Sequence, residues 1–393
     1  MVQNILIVTK EYHCSLNENV GGTGIFYKNL CEELAKRGFK PYVFLISRKN
    51  FELTENGVSI YSVKDIFKSK FLMETMRSLT GKISLIKDFS FKIYLLEKKI
   101  IQKKIRRWMT ENALHFDVAE THDWDGLALA IPQNIKSVIR CHGSWTVLKK
   151  YFGYGKVKEG RIFCEKIAIE NCKNIITISK FNEKINRELF DLGKTKLIYN
   201  GIDETVFNPD LKTEKISKSV FYLGNVSREK GADTLLENFI KIKDKFNDAT
   251  LHFIGNSNDF PAKVSEINTN PKFRSSVIFH GKKSRSEIAS LLSQAEVICF
   301  PSKGENFSLS LLESMAMRKP IVCSDIPSFT EIIKDYENGL IAFGNDFAEK
   351  VSVIFNDIEL AEKISNSARK TVEDHFTLHR MIDETVNFYN TIK

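Results

Sequence analysis

From one end of the chain to the other, short runs of β-branched and aromatic residues alternate with stretches whose apolar positions recur every three to four residues. This alternation predicts parallel strands joined by helical crossovers. In the first half the strand-like runs are Asn4 to Thr9, Pro41 to Ile46, Val118 to Thr121, Ser137 to Cys141 and Ile175 to Ile178. Between the first two, Phe26, Leu30 and Leu34 fall at helical spacing and Gly38 supplies a stop, which makes one βαβ unit. The grammar restarts with a strand at Ser219 to Gly224, a helix from Asp233 to Lys243 and a strand at Ala249 to Gly255. Further strands are predicted at Val277 to His280, Val297 to Pro301 and Ile321 to Cys323, with helices beginning at Ser284 and Ser308.

The restart implies a second domain. Asn208-Pro209-Asp210 and the polar stretch Lys212 to Lys218 separate the halves, so the hinge is expected near Asn200 to Lys218. The fold class read from this pattern is α/β, two doubly wound Rossmann-like domains at residues 1–200 and 201–375, facing each other across a cleft. Such sheets bind ligands at the carboxyl ends of their strands, which is where an active site is expected. The tail, 376–393, carries Met381, Val386, Phe388 and Tyr389 on a final helix expected to cross back onto the first domain.

Composition narrows the classes. With 393 residues, 42% hydrophobic and 27% charged, the chain reads as ordinary globular protein without an apolar run long enough to span a bilayer. The start, MVQNILIVTKEYH, lacks the regions of a secretory signal, so a cytoplasmic location is expected. Seven cysteines, odd in number and scattered, read as reduced core thiols, and without a CxxC no metal site is expected.

The net charge of +9 is local. Between Lys64 and Arg107 there are 13 Lys and Arg against four acids, an excess equal to the net charge of the whole chain. Two readings stand for residues 64–107: a surface for an anionic membrane or anionic acceptor, docking the protein peripherally at the inner face of the cell membrane, or a pair of solvated helices. Phe67, Phe71, Leu72, Met73, Leu95, Leu96, Ile100 and Trp108 interleave with the cations. No nucleic-acid motif accompanies them, so nucleic acid is not an expected partner.

Phosphate sites in such folds use backbone amides at helix N-termini, close-approach glycines and a nearby cation. Three stretches have that form. Gly21-Gly22-Thr23-Gly24 follows the first strand; it is no dinucleotide fingerprint, since GxGxxG occurs nowhere in the chain. GNVSREKG, Gly224 to Gly231, sets Arg228 and Lys230 just before a helix. No Walker loop exists either, because Glu188 stands where the first glycine before Gly193-Lys194-Thr195 would be needed. In PSKGENFSLSLLESMAMRKP, Glu305 lies on the loop after a strand and Glu313 in the following helix, carboxylates suited to accept from sugar hydroxyls.

Taken together these motifs resemble the retaining GT-B glycosyltransferases of the fourth sequence family, also described as glycosyl transferases group 1. The resemblance spans nearly the whole chain and rests on an ordered set. Its members are the Gly21-Gly22 loop, FDVAETHDWDG (116–126), Cys141-His142-Gly143, ITISKF (176–181), IYNGID (198–203) with Phe207 and Pro209, the Glu229-Lys230-Gly231 turn, and two glutamates eight positions apart. It implies a hexosyltransferase moving sugar from a UDP- or GDP-sugar to a glycan or lipid-linked acceptor, in cell-surface polysaccharide, lipopolysaccharide or glycolipid synthesis. The first domain would bind the acceptor and the second the nucleotide sugar.

Residue by residue, Gly21 and Gly22 would approach the donor diphosphate and Lys230 would pair with it. Glu313 resembles the ribose-binding carboxylate and Glu305 the contact to the transferred sugar. The amides of Asn306, Phe307 and Ser308, with Leu309 beside them, would hold the hexose and distal phosphate. His142 resembles the histidine beside the reacting sugar, so the expected catalytic set is His142, Lys230 and Glu305, with His122 and Asp123 on the acceptor side. Two positions depart from the family. Asn225 stands where arginine is common, leaving Arg228 to compensate, and Ser308 replaces a frequent glycine, which would narrow the sugar pocket. No cofactor or metal is implied. The rival readings are a sugar-nucleotide epimerase on the same fold and a non-catalytic basic polyanion-binding protein.

Overall fold

The strand-like runs are apolar along nearly their whole length, so each needs cover on both faces, and each half of the chain builds a mostly parallel sheet flanked by helices. The computed structural model describes residues 2–392 apart from 19, 66–85, 154, 156, 212, 258–259, 261–268, 270, 272 and 274–275. Lys68, Lys70, Arg77, Lys82, Phe67, Phe71, Leu72 and Met73 of the basic segment therefore lie outside the described residues. Residues 1–199 with 381–393 make one compact unit and residues 200–380 another.

The first unit holds β1 (Asn4–Thr9), β2 (Lys40–Ser47), β3 (Phe51–Glu55), β4 (Val58–Lys64), β5 (Val118–His122), β6 (Lys136–Cys141), β7 (Ile175–Thr177) and β8 (Thr195–Leu197). They line up as β3-β4-β2-β1-β5-β6-β7-β8, and β3 alone is antiparallel to its neighbour. The hairpin β3–β4 goes beyond the sequence reading. Its turn, Asn56-Gly57, has both residues at positive φ (51° and 78°), the pair that matches the twist of a two-residue hairpin. Moving outward from β1 the chain runs to β2 and then β4, and it returns to set β5 on the other side of β1. The carboxyl ends of β1 and β5 thus flank a switch point in strand order.

A long helix, Ile86–Glu111, packs Ile101, Ile105 and Trp108 into the core with Phe44 and Phe116. Its opposite face carries Lys92, Lys99, Lys103 and Arg106, all exposed, at spacings that keep them on one stripe, with Leu96 51% exposed among them. Residues of the final helix, Leu378–Thr391, close the first unit through a buried polar joint. Arg140 makes two hydrogen bonds to Glu120 (2.8 and 3.1 Å) and a third to Thr385 Oγ1 (3.0 Å), while the Tyr389 hydroxyl donates to Glu120 Oε2 at 2.6 Å.

The second unit orders β9 (Ser219–Leu223), β10 (Thr250–Ile254), β11 (Val277–Gly281), β12 (Val297–Phe300), β13 (Ile321–Ser324) and β14 (Leu340–Ala342) as β11-β10-β9-β12-β13-β14, all parallel. Here the switch point lies between β9 and β12. The helix Arg285–Ser293 starts where expected, at Ser284, with a reciprocal capping box to Glu287, and Ser308 caps Leu309–Ala316.

One contact sets how the loops after β9 and β12 meet. Gly231 has a left-handed φ of 72°, and a Cβ there would stand 1.9 Å from the Pro301 carbonyl oxygen. A left-handed side chain alone costs roughly 1–2 kcal/mol, so with the overlap added we expect Gly231→Ala to cost more than about 2 kcal/mol. Gly22→Ala, where a Cβ meets nothing within 4 Å, should stay within about 0.5 kcal/mol. Urea unfolding of the two variants checks the contrast, and an unchanged midpoint for Gly231→Ala would contradict the close approach.

Candidate active site

The loops after β9 and β12 bring two opposite charges together. Lys230, at the end of the first loop, places Nζ 2.5 Å from Oε1 of Glu305 on the second, and Ser302 Oγ donates to the same oxygen at 3.2 Å. The backbones are joined as well, since the amide of Lys303 donates to the carbonyl of Glu229 at 3.2 Å. Both side chains keep part of their surface open. A mobile cation and a carboxylate at a switch point can exchange each other for a ligand's phosphate and hydroxyls.

The helix Leu309–Ala316 continues from this loop. The Ser308 hydroxyl accepts from the Leu311 amide at 3.2 Å, so its oxygen serves as the helix cap, a positive reason for serine at this position. Asn306, Phe307 and Leu309 are half-buried around it. One turn into the helix, Glu313 is half-buried, and burial pushes its carboxyl up to about 7 against the opposing pull of the Arg285 charge. Asn225 and Arg228 lie exposed, and Asn225 engages the fold through its carbonyl, which accepts the Tyr222 hydroxyl at 2.6 Å.

In the first unit, Gly21 and Gly22 are exposed at the start of the helix Gly22–Lys36. The Gly21 amide donates to the Glu11 carboxylate at 3.2 Å, so this helix start already meets an acid of its own chain. His142 follows β6 and is half-buried, its ring edge-on to Phe26 (4.5 Å) and Tyr27 (5.7 Å). Burial and the charge of Arg140 hold it well below its usual value, which keeps the ring neutral near pH 7.

His122 and Asp123 face the protein interior, each 1% exposed. The His122 ring stacks on Trp124 at 3.7 Å, and burial pushes it down to about 3. The Asp123 carboxylate accepts the amides of His142 (3.0 Å) and Gly143 (3.0 Å). Asp123 therefore shapes the loop that carries His142, while His122 accepts the Lys10 amide at 3.4 Å, and both side chains are buried from the surface.

Sequence reasoning passed over a buried charge cluster at the switch point between β1 and β5. Lys10, directly after β1, binds Asp125 Oδ2 (2.8 Å) and Glu97 Oε1 (3.1 Å), and Lys98 holds the other Glu97 oxygen at 2.7 Å. Arg161 (3.4 Å) and the Trp145 indole N–H (3.0 Å) complete the surroundings of Asp125 Oδ1. With Lys10 and Arg161 paired to it and the Lys98 charge nearby, Asp125 stays far below the usual carboxylate range despite its burial. The signal available was Asp125 itself, inside the quoted THDWDG run. Among the described residues no group of three His, Cys, Asp or Glu side chains is arranged to hold a metal ion, and no helix is long and apolar enough to cross a membrane.

Comparison with known proteins places this geometry. The model for glycosyl transferases group 1 matches residues 203–371, and that for glycosyltransferase family 4 matches residues 20–206. An uncharacterized glycosyltransferase of Methanocaldococcus jannaschii is 26% identical over 98% of this chain and 97% of its own length. Among solved structures, sucrose-phosphate synthase from Thermosynechococcus elongatus aligns with a TM-score of 0.77 at 19% identity, covering 99% of this chain and 98% of that one. Anabaena HepE in complex with UDP and glucose aligns at 0.69 and 13% identity, with both chains fully covered. These likenesses carry the fold, GT-B with two Rossmann-like domains.

Glu313 yields a test that needs no substrate. Its folded pKa of about 7 lies above its unfolded value, so the stability it contributes is complete below the unfolded pKa of roughly 4.3 and is lost as pH rises through 7. Glu313→Gln should therefore melt at a higher temperature than wild type at pH 8, with the gap narrowing as pH falls and closing only below about pH 4. A gap independent of pH would show that the carboxyl is not strained by burial.

Proposed function

The chain belongs to the group 1 and family 4 glycosyltransferases; on that premise we propose that it serves polysaccharide or glycoconjugate synthesis, moving a hexose from a UDP- or GDP-sugar to an acceptor hydroxyl with retention of configuration. The observation that carries this reading is the Lys230–Glu305 pair where the loops after β9 and β12 meet. Lys230 turns to the donor diphosphate, and Glu305 takes the sugar's hydroxyls. Glu313 accepts from the ribose, and the amides from Asn306 to Leu309 hold the hexose and distal phosphate. Gly22 lets backbone approach the diphosphate once the Gly21 amide exchanges the Glu11 carboxylate for it, and the neutral His142 hydrogen-bonds the reacting sugar.

The bond from the anomeric carbon to the diphosphate oxygen breaks first, leaving an oxocarbenium-like centre. The acceptor hydroxyl adds from the same face and gives its proton to the departing phosphate oxygen. Negative charge grows on the diphosphate as the bond breaks, so a fixed ammonium there stabilises the transition state more than the ground state. Lys230 with helix N-terminal amides does this work without a divalent ion. Uracil as the donor's base is favoured by the likeness to Anabaena HepE, whose structure contains UDP and glucose. The acceptor is a glycan or lipid-linked sugar of cell-surface polysaccharide, lipopolysaccharide or glycolipid synthesis, and the protein works on the cytoplasmic side.

A thermal-shift screen of UDP- and GDP-sugars identifies the donor, since a ligand that binds only folded protein raises its melting temperature. With that donor, Lys230→Ala and Glu305→Ala should lower turnover on the order of 10²-fold while remaining folded. Glu313→Ala should mainly raise the donor's Michaelis constant. EDTA should leave wild-type turnover unchanged. Near-wild-type turnover in folded Lys230→Ala and Glu305→Ala, or activity that EDTA abolishes and magnesium or manganese restores, would refute this assignment.

The exposed cationic stripe of Lys92, Lys99, Lys103 and Arg106 with Leu96 supports peripheral docking on an anionic membrane that holds the acceptor. Anionic vesicles should sediment the protein at low salt and release it at high salt, because screening shortens the reach of surface charge. Equal indifference to anionic and neutral vesicles would end this part of the proposal.

A further inference from the structure

Two carboxylates in the first unit touch no ligand-facing surface, yet between them they hold the loop that carries His142. Asp123 takes the amides of His142 and Gly143 from one side. On the other side stands Glu165, fully buried on the helix Glu159–Asn171. Its Oε1 accepts the amides of Asp125 and Trp145, both at 3.0 Å. Its Oε2 accepts the Thr146 amide at 3.0 Å and the Thr146 hydroxyl at 2.8 Å. One side chain thus ties the turn after β5 to the loop after β6.

The turn after β5 has little freedom to move away from this helix. Asp125 and Gly126 both sit at positive φ (62° and 64°), and a Cβ on Gly126 would lie 2.5 Å from the backbone of Cys164, next to Glu165. Trp145, whose amide Glu165 accepts, sends its indole N–H to Asp125 Oδ1, so the same two segments are linked twice. A carboxylate accepting four N–H and O–H groups is placed with little rotational slack. Its burial and the nearby charge of Asp123 make it an expensive group to keep inside a fold that needed only packing here.

We propose that Glu165 is a positioning residue for sugar transfer: by gathering the amides of Asp125, Trp145 and Thr146 it fixes the loop that aims His142. This rests on the assignment of His142 to the sugar in the preceding subsection. Glu165 touches neither donor nor acceptor. Its effect passes through the backbone from Trp145 to His142, three residues away, and it should vanish when His142 has no side chain to aim.

A double-mutant cycle tests this, with release of UDP or GDP as the readout. The donor is whichever of UDP-glucose, UDP-N-acetylglucosamine and GDP-mannose most raises the wild-type melting temperature. Glu165→Gln keeps the shape but loses an acceptor oxygen; we expect turnover to fall at least tenfold with the donor's Michaelis constant within twofold. In a His142→Ala background the same change should alter turnover less than twofold, since residues acting through one another are not additive. Equal losses in both backgrounds would overturn the positioning role while leaving the function standing. If His142→Ala alone leaves turnover unchanged, the assignment of His142 fails and this inference with it. Should Glu165→Gln not fold, Thr146→Val, which removes one donor to Glu165, enters the same cycle with a smaller expected loss of about threefold, again absent without His142.

Discussion

The approach of Gly231 to the Pro301 carbonyl is the constraint on which the second unit's site depends. β9 and β12 are neighbours although 73 residues of chain separate the end of one from the start of the other. Their loops leave the sheet side by side, and the first must turn sharply enough to start a helix without striking the second. Only a residue with left-handed backbone and no Cβ does both. Once that turn is made, Lys230 lies one residue before it and reaches Glu305 across a few ångströms. The charge pair is thus a consequence of backbone packing at a switch point, and any side chain at Gly231 would part the loops that form it.

The first unit solves the same placement problem with buried charge. Arg140 and Glu120 have no exposed side-chain surface, and each is held by more than its partner: Thr385 and the Phe26 ring for the arginine, the Tyr389 hydroxyl for the glutamate. Burying two ions brings a desolvation penalty that an ideal pair roughly offsets, whereas stripping one partner away costs about 3–5 kcal/mol. Such a pair therefore adds little net stability and much discrimination. The final helix seats only where Thr385 and Tyr389 meet the pair, and His142, two residues beyond Arg140, inherits a fixed position against Phe26 and a neutral ring.

Much of the secondary structure was legible because apolar runs, stop signals and caps are local. Asn4 to Thr9 is strand from end to end, and Ser284 and Ser308 cap helices as their spacing predicts. The hairpin Phe51 to Lys64 went unread although Asn56-Gly57 signals it, because its exposed edge strand lacks the long apolar run used to find the others. Of the site, the residues on motif loops could be named, while their partners could not. Glu120 and Arg140 read as single charges inside apolar strands, and only strand register brings them together. Lys10, Glu97 and Asp125 come from three separate elements, and Glu165 reaches Trp145 and Thr146 from a fourth, so no spacing within one element encodes their meeting. For the same reason His122 and Asp123 read as ligand-facing: a motif supplies proximity to a strand end but not the direction of the side chain.

The carboxylates of the first unit divide by the company they keep. Asp125 is surrounded by Lys10, Arg161 and the neutral Trp145 indole N–H, and the two cations hold it ionised through any physiological pH despite its burial. Asp123 and Glu165 face backbone amides, and burial raises both to about 7, with the nearby charge of Glu165 adding to the rise at Asp123. Hydrogen bonds to amides favour the charged form but do not cancel two buried negative charges. The brace around His142 is therefore built from one permanently charged anchor and two acids near their point of protonation. A carboxyl that gains a proton carries an O–H donor and keeps only part of its acceptor capacity, so it holds several amide hydrogens less firmly than a carboxylate does. The hydrogen bonding of the loop is thus tied to proton binding at Asp123 and Glu165, while Asp125, paired with Lys10 and Arg161, stays ionised and holds the turn in place.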